Sequence, residues 1–469
     1  MRVSFSKIKI SPRDFIGRPM AGYSRKDPCL GKLDDLYAYG VLIEGSNESR
    51  EKNELLLISL DLLKTPIALC NYIKKEINEN HPSLEPDQIL IHCTHTHSGP
   101  DLTGEFYWPG GLFNVMKGIM FGSNRSDGYI VWFVNQIVIM VRDLKNKLLP
   151  CKMAWKKIKF NPDIVINRRH PIRQSIPELG IISFINLDKD DLIGFIINYS
   201  CHPTTLSYQN NKLSADYPGK IIERVSQITN NKVGVIFFNG TSGDLNPITT
   251  CGTDYKKLEL DKSLIYDQLG TYYHTKKIGY IIAEEALNLA KSIPKNDYMK
   301  ELEFQFYLEF FWIPSKDFKY FTKIWFKNKF NYTFKKYLLL KVAKIILENA
   351  NFPAFTIKRK KFKIHGKTVI QFIKFDFKDD NKSQSLGILT VPGELFEEYG
   401  DLYLKKSPLG RANSFIFQNS NDWISYLFPA RDYIKEGGYE PLASFSPVCG
   451  DFIEKRTLEL FEDIKTKLN

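Results

Sequence analysis

The chain has 469 residues, 43% hydrophobic, 13% aromatic and 25% charged, with a formal net charge of +12. This is the composition of a globular protein of two or three domains, or one large one, and it excludes collagen-like, low-complexity and wholly disordered chains. Such a length buries a large core without disulfide staples, and seven scattered cysteines, an odd number, are not a disulfide framework.

The amino terminus, MRVSFSKIKISPRDF, has no apolar core or small-residue cleavage site of a signal peptide. With unpaired thiols, the expected compartment is a reducing cytoplasm. Short apolar, β-branched runs predict buried strands at 55–60, 89–93, 192–198, 233–238, 386–391 and 415–417. Helical patterns lie at 67–78, just after Pro66, and at 129–149, 217–229, 276–291 and 335–349. The most apolar stretch, 130–141, contains Asn135 and Gln136 and is too short to span a bilayer, so it predicts a buried amphipathic helix. The alternation implies an α/β fold with a mixed central sheet flanked by helices.

The positive charge is local. Residues 316–367 hold fifteen Lys and Arg against Asp317 and Glu348, so the rest of the chain sums to −1. Twelve aromatic residues are interleaved with them. Lys and Arg beside Phe, Tyr and Trp suit an anionic membrane surface. They also suit nucleic acid, or a helical insertion with lysines in water and aromatics inside. The expected organisation is a catalytic domain in two parts, 1–291 and 385–469, around a helical basic-aromatic insertion at 292–384.

Polar residues follow the predicted strands. They are Thr94-His95-Thr96-His97-Ser98-Gly99-Pro100, Cys201-His202-Pro203, Asn239-Gly240-Thr241-Ser242-Gly243-Asp244, Pro392-Gly393-Glu394, and Asn421 followed by Tyr426. Ligands of open α/β sheets bind beyond the carboxyl ends of strands, so five such ends point to one shared site. Strand alternation places His95 and His97 on one face and His92 on the other. An H-x-H alone is more often a hydrogen-bonded pair, His202 alone could cap a strand, and Glu394 alone could sit at a helix start. Together, two histidines and a glutamate at strand ends form a catalytic zinc set with a position left for water. Neither Ser98 nor Ser242 lies in a G-x-S-x-G elbow, which argues against a serine hydrolase.

The motif Thr94–Pro100 resembles the T-H-T-H-S-G-P of the neutral, non-lysosomal ceramidase family. Gly22-Tyr23, Ile166-Asn167-Arg168, Cys201-His202-Pro203-Thr204, Ser214-Ala215-Asp216-Tyr217-Pro218-Gly219, Gly243-Asp244 through Pro247, Pro392-Gly393-Glu394, and Gly438-Tyr439-Glu440 resemble further family motifs in order. The resemblance implies a zinc-dependent amidase that cleaves ceramide to a sphingoid base and a fatty acid by a metal-activated water. It implies His95, His202, Glu394 and Tyr426 as zinc ligands, and His97, Arg168 and Tyr439 as catalytic groups. Tyr433 and Asn246 fall on the substrate side. Asn246 replaces a serine common in relatives, Trp423 a tyrosine, and Arg169-His170 a serine. Residues 440–469 are too few for the C-terminal β-sandwich of ~100 residues found in secreted relatives. Two alternatives stay open: a zinc amidase for another N-acyl lipid or small amide, and an inactive membrane-binding relative. Within this reading, 316–367 contacts anionic membrane rather than nucleic acid.

Overall fold

The computed structural model describes residues 1–23, 25–46, 51–104, 106, 127–171, 175–248, 270–315, 352, 356–360, 363–379, 382–430, 440–446 and 448–468. Among these, thirteen strands form one mixed sheet. They are β1 (Arg2–Lys9), β2 (Tyr37–Ser46), β3 (Lys52–Leu60), β4 (Ile89–Cys93), β5 (Leu149–Lys159), β6 (Glu178–Asn186), β7 (Leu192–Tyr199), β8 (Gly234–Asn239), β9 (Leu302–Pro314), β10 (Ile357–Lys360), β11 (Lys363–Asp379), β12 (Lys382–Val391) and β13 (Ser414–Gln418). The helices around it are α1 (Ile67–Asn80), α2 (Asp127–Asn146), α3 (Asp216–Ile228), α4 (Tyr272–Lys291), α5 (Glu397–Lys406) and α6 (Cys449–Leu468). The sheet order is β8-β7-β6-β5-β1-β2-β9-β11-β12-β13, with β3 and β4 continuing from β2 and β10 paired to β11.

Most neighbours are antiparallel, but β3–β4, β7–β8 and β12–β13 are parallel, as is the single-residue contact of β2 with β9. Parallel neighbours need a crossover, and the crossovers of the first three pairs contain α1, α3 and α5. Three βαβ units result, and each of the five polar segments noted above follows one of their strands.

The predicted strands are continuous apolar runs because both of their faces are buried. In β3, Leu55 and Leu57 enter one core while Leu56, Ile58 and Leu60 enter a second, shared with α1 and α2. In β13, Phe415 and Phe417 face the first core and Ile416 faces a third, under α5 and α6. The stretch 130–141 lies in α2 as expected, with Ile130, Phe133, Val134, Ile137, Met140 and Val141 buried at helical spacing.

The flanks of the expected insertion are corrected. Residues Leu302–Pro314 and Lys363–Asp379 are strands of the central sheet, not helical insertion. Their pattern is disguised by charged residues at strand positions, Glu303 and Glu309 in the first and Lys374 and Lys378 in the second. Ile373, Phe375 and Phe377 face one core and Ile370 and Phe372 another, while Lys374 is buried against Asp376 at 2.8 Å. The intervening residues 316–351, with the expected helix 335–349, lie outside the described residues. Six cysteines are described, and all are buried. Among the described residues no helix is long and apolar enough to cross a membrane.

Candidate metal centre

Strand β4 ends at Cys93, so alternation does not carry on to His95 as expected. His95 instead adopts φ +67°, a left-handed conformation uncommon for a residue with a side chain. The loop after β3 holds it there: His95 N donates to Leu62 O at 3.0 Å and its Nδ1 donates to Leu63 O at 2.7 Å. His202, after β7, donates through Nδ1 to Ser242 O after β8, at 3.0 Å. Glu394 and Tyr426 are paired in the parallel bridge Glu394–Leu395 with Tyr426–Leu427. The segments are tied across: His202 N to Leu245 O at 2.8 Å, Gly243 N to Leu395 O at 2.8 Å, and Asn421 N to Ile91 O at 2.7 Å. Gly243 permits this approach, since a Cβ there would lie 2.5 Å from Glu394 O.

A carbonyl only accepts, so the Nδ1 of His95 and of His202 carries the proton and each Nε2 carries a lone pair. The Nε2 atoms stand 3.4 and 3.6 Å from Glu394 Oε2. His97 Nε2 lies 3.1 Å from His202 Nε2. Potential ligand nitrogens of His95, His97 and His202 all fall within 4.8 Å of one another, and all three residues are buried. His97 differs in one respect: its Nδ1 has no hydrogen-bond partner, so no carbonyl fixes its Nε2 as a lone pair.

Burial keeps the imidazoles of His97 and His202 neutral. Burial, reinforced by His95, pushes His202 down to about 3, and burial first and His95 second push His97 well below its usual value. Burial alone would raise Glu394, but His95, His202 and Arg168 overcome it and hold the carboxyl at about 2. His95 Nε2 and Glu394 Oε2 are buried without a hydrogen-bond partner. Such atoms cost roughly 1–3 kcal/mol each, and a cation between them would convert that cost into ligand bonds. Neutral imidazoles, an ionised carboxylate and orphaned lone pairs fit a metal ion.

Beside this cluster, Arg168 (3% exposed) places its guanidinium carbon 5.3 Å from the Tyr426 ring centroid. Its Nη1 donates to Asn246 Oδ1 at 2.8 Å and its Nε to Glu440 Oε1 at 3.3 Å, while Arg169 Nη1 reaches Glu440 Oε2 at 3.4 Å. Tyr433 and Tyr439 lie outside the described residues. His92 is an ordinary core histidine, with Nδ1 2.9 Å from Ser59 Oγ and Nε2 accepting from Asn239 N at 3.1 Å. The sequence reading gave Arg25 and Glu440 no role in the site. Arg25 is buried and donates to Ala21 O and His97 O at 2.9 and 2.5 Å, and its only sequence signal is its place just after Gly22-Tyr23.

Comparison with protein-family models gives no match. Among solved structures, the chain is similar to the neutral ceramidase from Pseudomonas aeruginosa, with a TM-score of 0.69 and 16% identity, covering 99% of this chain and 74% of that one. It is similar also to a ceramidase complexed with C2, with a TM-score of 0.69 and 15% identity over 99% of this chain and 75% of the other. The mixed α/β chain described here therefore has the fold of the neutral ceramidases, as its ordered motifs anticipate.

Proposed function

We propose that the protein is a metal-dependent amidase that hydrolyses the N-acyl bond of ceramide to a sphingoid base and a fatty acid, with zinc as the metal. The observation that carries this reading is the meeting of His95 Nε2, His202 Nε2 and Glu394 Oε2, at 3.4 and 3.6 Å, from segments that follow three different strands, β4, β7 and β12. The similarity to ceramidase structures supports it.

His95, His202, Glu394 and Tyr426 would hold the ion. Zinc in such a set supplies Lewis acidity, activating water near neutral pH and polarising a carbonyl. His97, neutral and beside His202, takes a proton from the attacking water and returns it to the leaving amine. The Arg168 guanidinium faces the charge that develops on the amide oxygen, a role worth about a hundredfold or more in rate. Tyr439 shares that role by resemblance, and Asn246 and Tyr433 contact the substrate. The basic stretch 316–367 docks on anionic lipid, where the substrate resides.

A second reading keeps the metal site and changes the substrate to another N-acyl amide. It is favoured by Asn246, which stands where the resemblance expects a serine and whose side-chain oxygen is engaged by Arg168. The purified chain is expected to contain stoichiometric zinc and to release fatty acid from ceramide, with both lost on chelation. Cleavage of other N-acyl amines but not ceramide selects the second reading, and a wild-type chain that takes up no metal refutes both.

A further inference from the structure

Arg25 carries a buried positive charge that no carboxylate answers. It is 4% exposed, and among the described residues its hydrogen bonds go to backbone carbonyls alone: Nε donates to Asn210 O at 2.8 Å, Nη1 to Ala21 O at 2.9 Å and Nη2 to His97 O at 2.5 Å. Burial pulls its pKa down to about 10, which leaves it charged at neutral pH. A buried ion without a counter-ion is costly to fold. Lys220 and Lys374, also buried, avoid that cost by lying beside Asp34 and Asp376 at 2.7 and 2.8 Å.

His97 is the histidine of the cluster that needs such a hold. Nδ1 of His95 and of His202 is tied to a carbonyl at 2.7 and 3.0 Å, whereas His97 Nδ1 has no hydrogen-bond partner. Its ring is directed by its own backbone and by the Tyr23 ring, 4.7 Å away. Arg25 meets both supports, since its guanidinium carbon lies 5.1 Å from the Tyr23 ring centroid.

We propose that Arg25 is the positioning residue of His97, clamping the His97 carbonyl to the chain at Ala21 and Asn210 and packing on Tyr23, so that the imidazole keeps one direction without a bond at Nδ1. The clamp needs a guanidinium, because its planar fork donates in three directions and the compact ammonium of lysine does not reproduce it. The role rests on the amidase reading above only for its effect on rate; the direction of the ring is read without turnover.

The test compares wild type, Arg25→Ala and Arg25→Lys as zinc-loaded full chains. Hydrolysis of a short-chain ceramide is followed beside NMR of isotope-labelled histidine, with the His97 signal assigned by its loss in His97→Ala. In Arg25→Ala, kcat should fall about a hundredfold with KM within about threefold and zinc content unchanged, and the His97 signal should move. Free guanidinium at millimolar, non-denaturing concentration should restore both the signal and about a tenfold part of the rate, whereas methylammonium should restore neither. Guanidinium should not help Gly22→Ala, where the obstruction is steric. Arg25→Lys, which keeps the charge and most of the bulk, should show the same displaced signal and a similar rate loss, and it decides the matter if Arg25→Ala does not fold. An unmoved His97 signal in the folded variants, a change in KM alone, a loss that guanidinium does not reverse, or wild-type behaviour of Arg25→Lys overturns the proposal. A His97 signal that follows Arg25 as expected in a chain that hydrolyses no amide leaves the clamp standing and removes the amidase reading instead.

Discussion

A Cβ on Gly22 would lie 2.5 Å from Cγ of His97, inside van der Waals contact. Gly22 also has φ +95°, a conformation costly for any other residue. The segment that follows closes the seat: the Tyr23 ring lies 4.7 Å from the imidazole, and Arg25 donates to the His97 carbonyl at 2.5 Å. Gly22→Ala must therefore displace His97 while leaving the carbonyls that hold His95 and His202 untouched. Amide hydrolysis is expected to fall about a hundredfold, the effect of misplacing a reacting group by about 1 Å, with zinc content unchanged by elemental analysis. An unaltered rate would show that His97 does not act in proton transfer.

The three clustered histidines are expected to separate by metal content. His95→Ala and Glu394→Ala each remove a donor whose counterpart stands 3.4 Å away, so both should abolish zinc retention and activity. His97→Ala should retain zinc and lose about 100-fold to 10,000-fold in rate, the range for a general acid–base group. Loss of zinc in His97→Ala would make it a ligand, consistent with the close approach of the three rings.

His92 gives the contrasting case within the same motif. Its ring accepts from Asn239 N at 3.1 Å and bonds Ser59 Oγ at 2.9 Å, joining β3, β4 and β8 in the core. His92→Leu leaves a buried backbone N–H unpaired, at a cost of roughly 1–3 kcal/mol. Thermal denaturation should show that loss while the folded variant still binds zinc stoichiometrically. Zinc loss from the folded variant would place His92 in the site.

Much of this site is readable from residue order because each of its parts follows a strand buried on both faces. Leu55–Leu60 and the other apolar runs stand out since no solvent-facing residue interrupts them. Strands β9 and β11 do not stand out, because Glu303, Lys374 and Lys378 break the run and find ionic partners only in the folded sheet. The left-handed turn at His95 is equally hidden. A period of two brings His95 and His97 together on paper, whereas in the fold it is the Leu62 and Leu63 carbonyls, 32 residues away in sequence from His95 for Leu63, that aim the ring. The roles of Arg25 and Glu440 are hidden for a related reason. Their function is to hold His97 and Arg168, and such partnerships exist only in three dimensions.

Asp422 predicts a pH dependence of stability that is separable from the metal site. It is 2% exposed and accepts from Ile67 N at the start of α1 and from Trp423 N, at 2.8 and 2.7 Å. Burial raises its pKa to about 7, with hydrogen bonds and Lys64 opposing. Because the folded pKa lies above the ordinary aspartate value of about 3.9, the folded chain binds this proton more tightly than the unfolded chain. The resulting stability is complete below about pH 4 and is lost as pH rises through about 7. Asp422→Asn, neutral throughout, should match wild type near pH 4 and melt several degrees higher near pH 8. Parallel melting curves for the two proteins at every pH would show that Asp422 is not protonated in the fold.

The basic stretch 316–367 makes a prediction about where the protein works. At its described margins, cations already lie over aromatic rings: Lys358 Nζ is 3.9 Å from the Trp312 ring centroid and Lys367 Nζ 4.6 Å from that of Phe310, which is 47% exposed. A surface with that pairing gains from both headgroup charge and interfacial burial of rings. The full chain should sediment with phosphatidylserine vesicles at about 0.1 M salt, with little binding to phosphatidylcholine vesicles, and should be released at about 1 M salt, where the screening length falls to about 3 Å. Replacing Lys358, Arg359, Lys360 and Lys361 with Gln should weaken vesicle binding, with hydrolysis of a soluble short-chain amide unchanged. Binding that ignores lipid charge and salt would remove the membrane role and leave this stretch as structural.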